Sequence, residues 1–75
     1  MNSNLDKVVE TYIKELQAKY PEVVVNQVEP ESRFVDAALL VQGVSDDDDF
    51  EVMKTLAHLT TKHYIEDGVY VQGST

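Results

Sequence analysis

The residues most able to do chemistry in this 75-residue chain are a run of four aspartates, Asp46, Asp47, Asp48 and Asp49, and two histidines, His58 and His63. A run of carboxylates suggests a divalent cation site. An EF-hand loop, however, needs oxygen ligands at alternate positions and a glycine at the sixth. Counted from Asp46, the fifth position is Phe50 and the sixth is Glu51, so the spacing fails. The other reading is electrostatic: carboxylates in a helical first turn meet the positive end of the helix dipole, worth about 0.3–1 kcal/mol each at best. The histidines stand five apart, about 140° around a helix, whereas zinc-binding helices place them at i, i+4. His63 lies four before Asp67, which predicts a local His–Asp contact. Carboxylate–histidine catalysis would need Asp36, the aspartate run and His63 to converge. Ser3, Ser32, Ser45 and Ser74 fall at caps, turns or the tail without an arranged base. Gly43, Gly68 and Gly73 form no phosphate loop, and cysteine is absent. The sequence assigns no catalytic residue, metal or cofactor.

Charge is the stronger signal. Fourteen acidic residues oppose six basic ones, for a formal net charge of −8. The excess is concentrated: residues 29–51 hold Glu29, Glu31, Asp36, the aspartate run and Glu51 against Arg33 alone. Such a surface repels phosphate backbones, which argues against direct nucleic-acid binding, and it attracts basic proteins. The expected partner-contact residues are Glu29, Glu31, Asp46, Asp47, Asp49 and, on the last strand, Tyr70. No apolar run approaches the roughly 20 residues needed to span a bilayer, so a small soluble protein without membrane contact is expected. The N-terminus is polar, and the expected location is the cytoplasm.

These residues must be positioned by one small domain. Leu5, Val8, Val9, Tyr12, Ile13, Leu16 and Tyr20 repeat at helical spacing, predicting a helix over 3–20 with Ser3 and Asp6 as a capping box and Pro21 as its stop. Glu10–Lys14 and Glu15–Lys19 are expected i, i+4 pairs on its outer face. Valines predict a strand over 22–28, the segment 29–32 reads as a turn, and a second strand is expected over 33–42. A second helix is expected over 45–67, capped by Ser45, with Phe50, Met53, Leu56, Ala57, Thr60 and Tyr64 as its buried stripe, widened by Val52 and Leu59. Gly68 would supply the left-handed C-cap. Residues 69–72 read as a third strand and 73–75 as a tail. Tyr12, Tyr20 and Tyr64 are expected at the core's edge with their hydroxyls reaching solvent.

The order α-β-β-α-β predicts an α+β fold, a three-stranded mixed sheet with both helices on one face. Strands 1 and 2 would form a hairpin, and strand 3 would run parallel to strand 2. Strand 3 could lie beside strand 2 or beside strand 1. With two edge strands and no disulfide, such a domain has reason to form a homodimer.

The stretch Asp36-Ala37-Ala38-Leu39-Leu40-Val41, followed by a helix and a short strand, loosely resembles the core of minimal nucleotidyltransferases. Asp36 matches the first of that family's two metal-binding aspartates. Ala38 stands in place of the second, and Val25-Asn26-Gln27-Val28 stands where a Gly-Ser pair is expected. The resemblance therefore implies a non-catalytic relative. The leading expectation from the residues themselves is a non-enzymatic protein that binds a basic protein partner, in its sharpest form an acidic mimic of nucleic acid.

Overall fold

A computed structural model describes residues 3–75, with side chains from residue 4 onward. Helix α1 spans Ser3–Lys19. Its single apolar stripe does what the periodicity requires: Val8, Val9, Tyr12 and Leu16 are buried, with Leu5, Ile13 and Tyr20 packed at their margin. Tyr20 still donates its N–H to the Leu16 carbonyl at 2.8 Å before Pro21 turns the chain. The expected Ser3 side-chain cap lies outside the described residues. Glu10 and Lys14 pair at 2.9 Å. The expected Glu15–Lys19 pair is replaced: Glu15 turns to the second helix, and Lys19 lies over the Tyr20 ring.

Three strands follow the expected order, β1 (Val24–Val28), β2 (Ala37–Gln42) and β3 (Val71–Ser74), with α2 (Asp49–Asp67) between the last two. β2 is central. It pairs antiparallel with β1, Val25 opposite Val41, and parallel with β3, Ala37 opposite Val71. Of the two strand orders the sequence allowed, β3 therefore takes the place beside β2. Alternation along β2 buries Ala37, Leu39 and Val41 against the helices and turns Ala38, Leu40 and Gln42 to the open face.

The strand ends differ from expectation because side chains capture the backbone, locally at Ser32 and across the sheet at Asp36. The start of the expected second strand, residues 33–36, is a turn: the Ser32 hydroxyl accepts the Phe34 N–H at 3.2 Å, and the Ser32 carbonyl accepts that of Val35 at 3.1 Å. Phe34 is consequently exposed. At Tyr70, the N–H goes to the Asp36 carboxylate at 2.8 Å and the carbonyl to the Asp36 N–H at 2.9 Å. β3 proper begins at Val71 and continues through Gly73, which the sequence had suggested was tail. After β2, Gly43 turns the chain with φ +80°, where a side chain would also press on the Glu22 carbonyl.

Helix α2 begins four residues later than its expected cap. The Ser45 hydroxyl donates to Asp48 at 3.0 Å and the Asp48 N–H returns to the Ser45 carbonyl at 3.0 Å. That closes a turn ahead of the helix, with Asp48 in the N-cap position but making no side-chain cap bond. The carboxylate that would have completed a capping box is held by the serine hydroxyl instead. Asp49 and Glu51 remain in the first turn, where the dipole favours them. Gly68 ends the helix as expected, left-handed at φ +68°, its N–H bonded to the Tyr64 carbonyl.

The buried face of α2 lies on the flank of the expected stripe that Val52 and Leu59 widen, and of the stripe itself Leu56 is buried and Thr60 half-buried. Val52, Leu56, Leu59 and His63 are inside, while Phe50 is 70 % and Tyr64 59 % exposed and Met53 is also exposed. The helix is rotated so that its inner face centres on Val52, Leu59 and His63, which leaves Phe50, Met53, Ala57 and Tyr64 outside. Polar contacts hold this face in place. Tyr12, 0 % exposed, reaches from α1 with its hydroxyl 2.9 Å from the Leu56 carbonyl and 2.9 Å from Thr60 Oγ1, and Thr60 donates to the Val71 carbonyl at 2.8 Å. Two hydroxyl protons are shared among three contacts, two of them hydrogen bonds at any moment, and together they tie α1, α2 and β3. The hydroxyl of Tyr12 does not reach solvent. Gly73 lies beneath this knot: a Cβ there would sit 2.8 Å from both the Tyr12 hydroxyl and a Leu56 methyl.

Candidate functional site

Polar chemistry is held in two places, one buried between the helices and one spread over the surface. Between the helices, His63 is 4 % exposed. Its Nδ1 lies 2.9 Å from Asp67 Oδ2 and its Nε2 3.0 Å from Glu15 Oε1. An ionised carboxylate can only accept, so both contacts are hydrogen bonds only when each ring nitrogen carries a proton. Lys62 donates to the second Glu15 oxygen at 2.8 Å. That hydrogen bond, with a smaller contribution from His63, holds the Glu15 carboxyl below its ordinary range, and the same bond raises the Lys62 ammonium above its own. Asp67 gains from this arrangement because the last turn of α2 has no basic residue to offset the dipole's negative end.

The arrangement is a clamp between α1 and α2. Both ring nitrogens are occupied, the ring stands 5.9 Å from the Tyr12 ring, and neither nitrogen is left to meet a substrate. The two carboxylates approach opposite edges of the imidazole, and among the described residues no three His, Asp or Glu side chains converge as a metal site. The convergence that carboxylate–histidine catalysis would need does not occur. Asp36 is committed to the Tyr70 N–H. Asp49 and His63 stand fourteen positions apart, about 21 Å of helix.

On the surface, the expected contact residues fall into two groups. Glu29 and Glu31 follow β1, and with Val28, Ala38, Gln72 and Ser74 they border a shallow cavity of about 130 Å³ on the open face of the sheet. Asp46, Asp47 and Asp49 lie beyond the other end of β2, so about 17 Å of strand separates the groups. All five are exposed. Among the described residues none of them, nor Glu51, has a basic partner: Lys14 pairs with Glu10, Lys62 with Glu15, and Lys19, Arg33 and Lys54 lie over the Tyr20, Phe34 and Phe50 rings. Beside the aspartate run, a cleft of about 220 Å³ is lined by Lys19 as well as Glu22 and Asp48, so it carries both signs of charge.

Tyr70 is half-buried at the head of β3, its ring 5.8 Å from that of Tyr64. It belongs to a groove of about 270 Å³ between α2 and β3, lined also by Met53, Leu56, Ala57, Thr60, Thr61, Gln72 and Gly73. Sequence reasoning found Tyr70 but missed Met53, Ala57 and Tyr64 as surface residues, because their spacing is that of a core stripe. The available signal was the flank formed by Val52, Leu59 and His63: a face centred there turns Met53, Ala57 and Tyr64 outward. No helix among the described residues is long and apolar enough to cross a membrane. The chain matches no protein-family model, no curated protein and no solved structure.

Proposed function

We propose that this chain is a non-enzymatic binding protein that engages a basic protein partner in the cytoplasm through its acidic surface. The observation that carries the reading is the exposure of Glu29, Glu31, Asp46, Asp47 and Asp49 without a basic partner among the described residues. A folded domain that keeps such charges unpaired forgoes attraction of its own and retains a field that steers cationic surfaces toward it. The enclosed His63 clamp supports binding over acid–base catalysis, since both ring nitrogens already face carboxylates of the chain itself. In the sharper form of the proposal the partner's basic surface is one that otherwise holds nucleic acid, which this chain displaces.

The test is affinity capture from native lysate at low and high salt. The bait is the wild-type chain or a variant carrying Glu29→Gln, Glu31→Gln, Asp46→Asn, Asp47→Asn and Asp49→Asn; Asp48 is left because Ser45 holds it. A basic protein retained by the wild type at low salt, released at high salt and lost with the variant is the expected result. Capture indifferent to both salt and the five substitutions would overturn the proposal.

A further inference from the structure

Helix α2 and strand β3 leave a boundary unfinished. β3 is an edge strand, and its residues Val71, Gln72, Gly73 and Ser74 include no charge and no proline. Sheet edges are ordinarily blunted by one or the other, because unpaired backbone N–H and C=O groups template the addition of another strand. On the helix side of this edge runs the groove that contains Met53, Ala57 and Tyr70. On the opposite side, Gln72 and Ser74 share the open-face cavity with Glu29 and Glu31. The edge is therefore apolar beneath and acidic above.

A strand presents alternate side chains to opposite faces. From this we infer that β3 accepts an extended segment of a basic protein in which apolar and basic residues alternate, pairing its backbone with β3. The apolar side chains enter the groove against Met53, Ala57 and Tyr70. The basic ones meet Glu29 and Glu31. This rests on the binding reading above and adds to it the place and the chemistry of the bound segment. Charge complementarity selects this occupant over a second copy: β1, β2 and β3 contain no lysine or arginine, so a strand of the same chain brings Glu29 and Glu31 no countercharge, and two chains of net −8 repel.

The test uses an end-capped hexapeptide of alternating lysine and valine. Its controls are a peptide of the same composition with lysines and valines in separate blocks, and an alternating glutamate–valine peptide. Binding is followed at low ionic strength through the backbone amide resonances of the whole chain. The alternating lysine peptide should shift and protect the amides of residues 71–74 saturably, several-fold more tightly than the block peptide, with no response to the glutamate peptide. Glu29→Gln with Glu31→Gln should weaken it about tenfold, as expected for two exposed charge pairs. A Met53→Gln variant, altered at an exposed side chain, should weaken it without changing the salt dependence. Equal binding of the alternating and block peptides would sink the inference, as would protection of residues 71–74 without peptide in a chain that sediments as a dimer. Shifts confined to residues 46–49 would remove the β3 site while leaving the acidic-binding reading intact. If neither lysine peptide bound at low salt, both would fall.

Discussion

Replacing Gly73 by alanine is the sharpest test of the packing described above, because a single methyl group meets two elements at once. A Cβ at this position lies 2.8 Å from the Tyr12 hydroxyl and 2.8 Å from a Leu56 methyl, where ordinary contact begins at 3.4 Å. Both neighbours must retreat by about 0.6 Å: the Tyr12 hydroxyl is enclosed and held by its own contacts, and Leu56 has only the groove between α2 and β3 to move toward. Overpacking of this kind costs about 1–3 kcal/mol. A domain of this size has about 4–11 kcal/mol of stability in all, and each kcal/mol moves Tm by about 4–8 °C. The decisive measurement is a double-mutant cycle by thermal and urea unfolding. Tyr12→Phe alone should cost about 0.5–1.5 kcal/mol through its lost hydrogen bonds. In that background one of the two clashes is gone, so Gly73→Ala should cost less than it does in the wild type, a coupling of about 0.5–1.5 kcal/mol. A glycine substitution costing under about 0.5 kcal/mol, or strict additivity of the pair, would refute the arrangement of Tyr12, Leu56 and Gly73.

Other substitutions divide the two flanks of α2: Leu59→Ala should destabilise by about 2–5 kcal/mol, whereas Tyr64→Ser on the exposed flank should stay within about 0.5 kcal/mol in the same urea titrations. Stability should decline at both ends of the pH range. Glu15 is held below its ordinary 4.5 by Lys62, so its contribution is full above that value and is lost as acid protonates it in the folded state. Burial raises Tyr12 above 10.0 and the Glu15 bond raises Lys62 above 10.5, so their contributions persist below those values and are lost as pH climbs past them. Unfolding curves at fixed ionic strength from pH 3 to 11 check both limbs, and Glu15→Gln should flatten the acid one. Calorimetric titration with Ca²⁺, Mg²⁺ or Zn²⁺ should reveal nothing tighter than the millimolar range, because the aspartate run lacks alternating ligands; a stoichiometric micromolar site would contradict this.

Much of the fold was legible because several segments offered only one solution. Helix α1 has a single apolar stripe, so Val8, Val9, Tyr12 and Leu16 had one way to be buried. The alternation of Ala37, Leu39 and Val41 determined the inner face of β2. Helix α2 offered one wide apolar face, and spacing alone centred it on the flank containing the larger aromatics. The contacts that hold the other flank inward, Tyr12 to Leu56 and Glu15 to His63, join residues 44 and 48 positions apart, beyond any local window. The strand and helix ends were misjudged where Ser32 and Ser45 bonded neighbouring groups, a competition between short polar side chains and regular structure, and where Asp36 took the N–H of Tyr70, 34 positions away. Of the surface residues, the acidic ones could be named from charge alone, but not their division between two ends of a strand. Tyr70 was identified without the groove it helps to form.

The width of the apolar face of α2 also bears on the shape of the folding landscape. A helix that can turn either flank of one apolar face inward gives the chain competing packings, a local form of frustration. Hydrophobic burial is non-directional and does little to separate them. Tyr12 meets Leu56 and Thr60, which the two flanks share, so the direction comes from the carboxylate of Glu15, which reaches His63 only when that residue faces inward. Glu15 acts as a register key. A chain lacking it would keep its helices and its collapse while losing part of the uniqueness of its core.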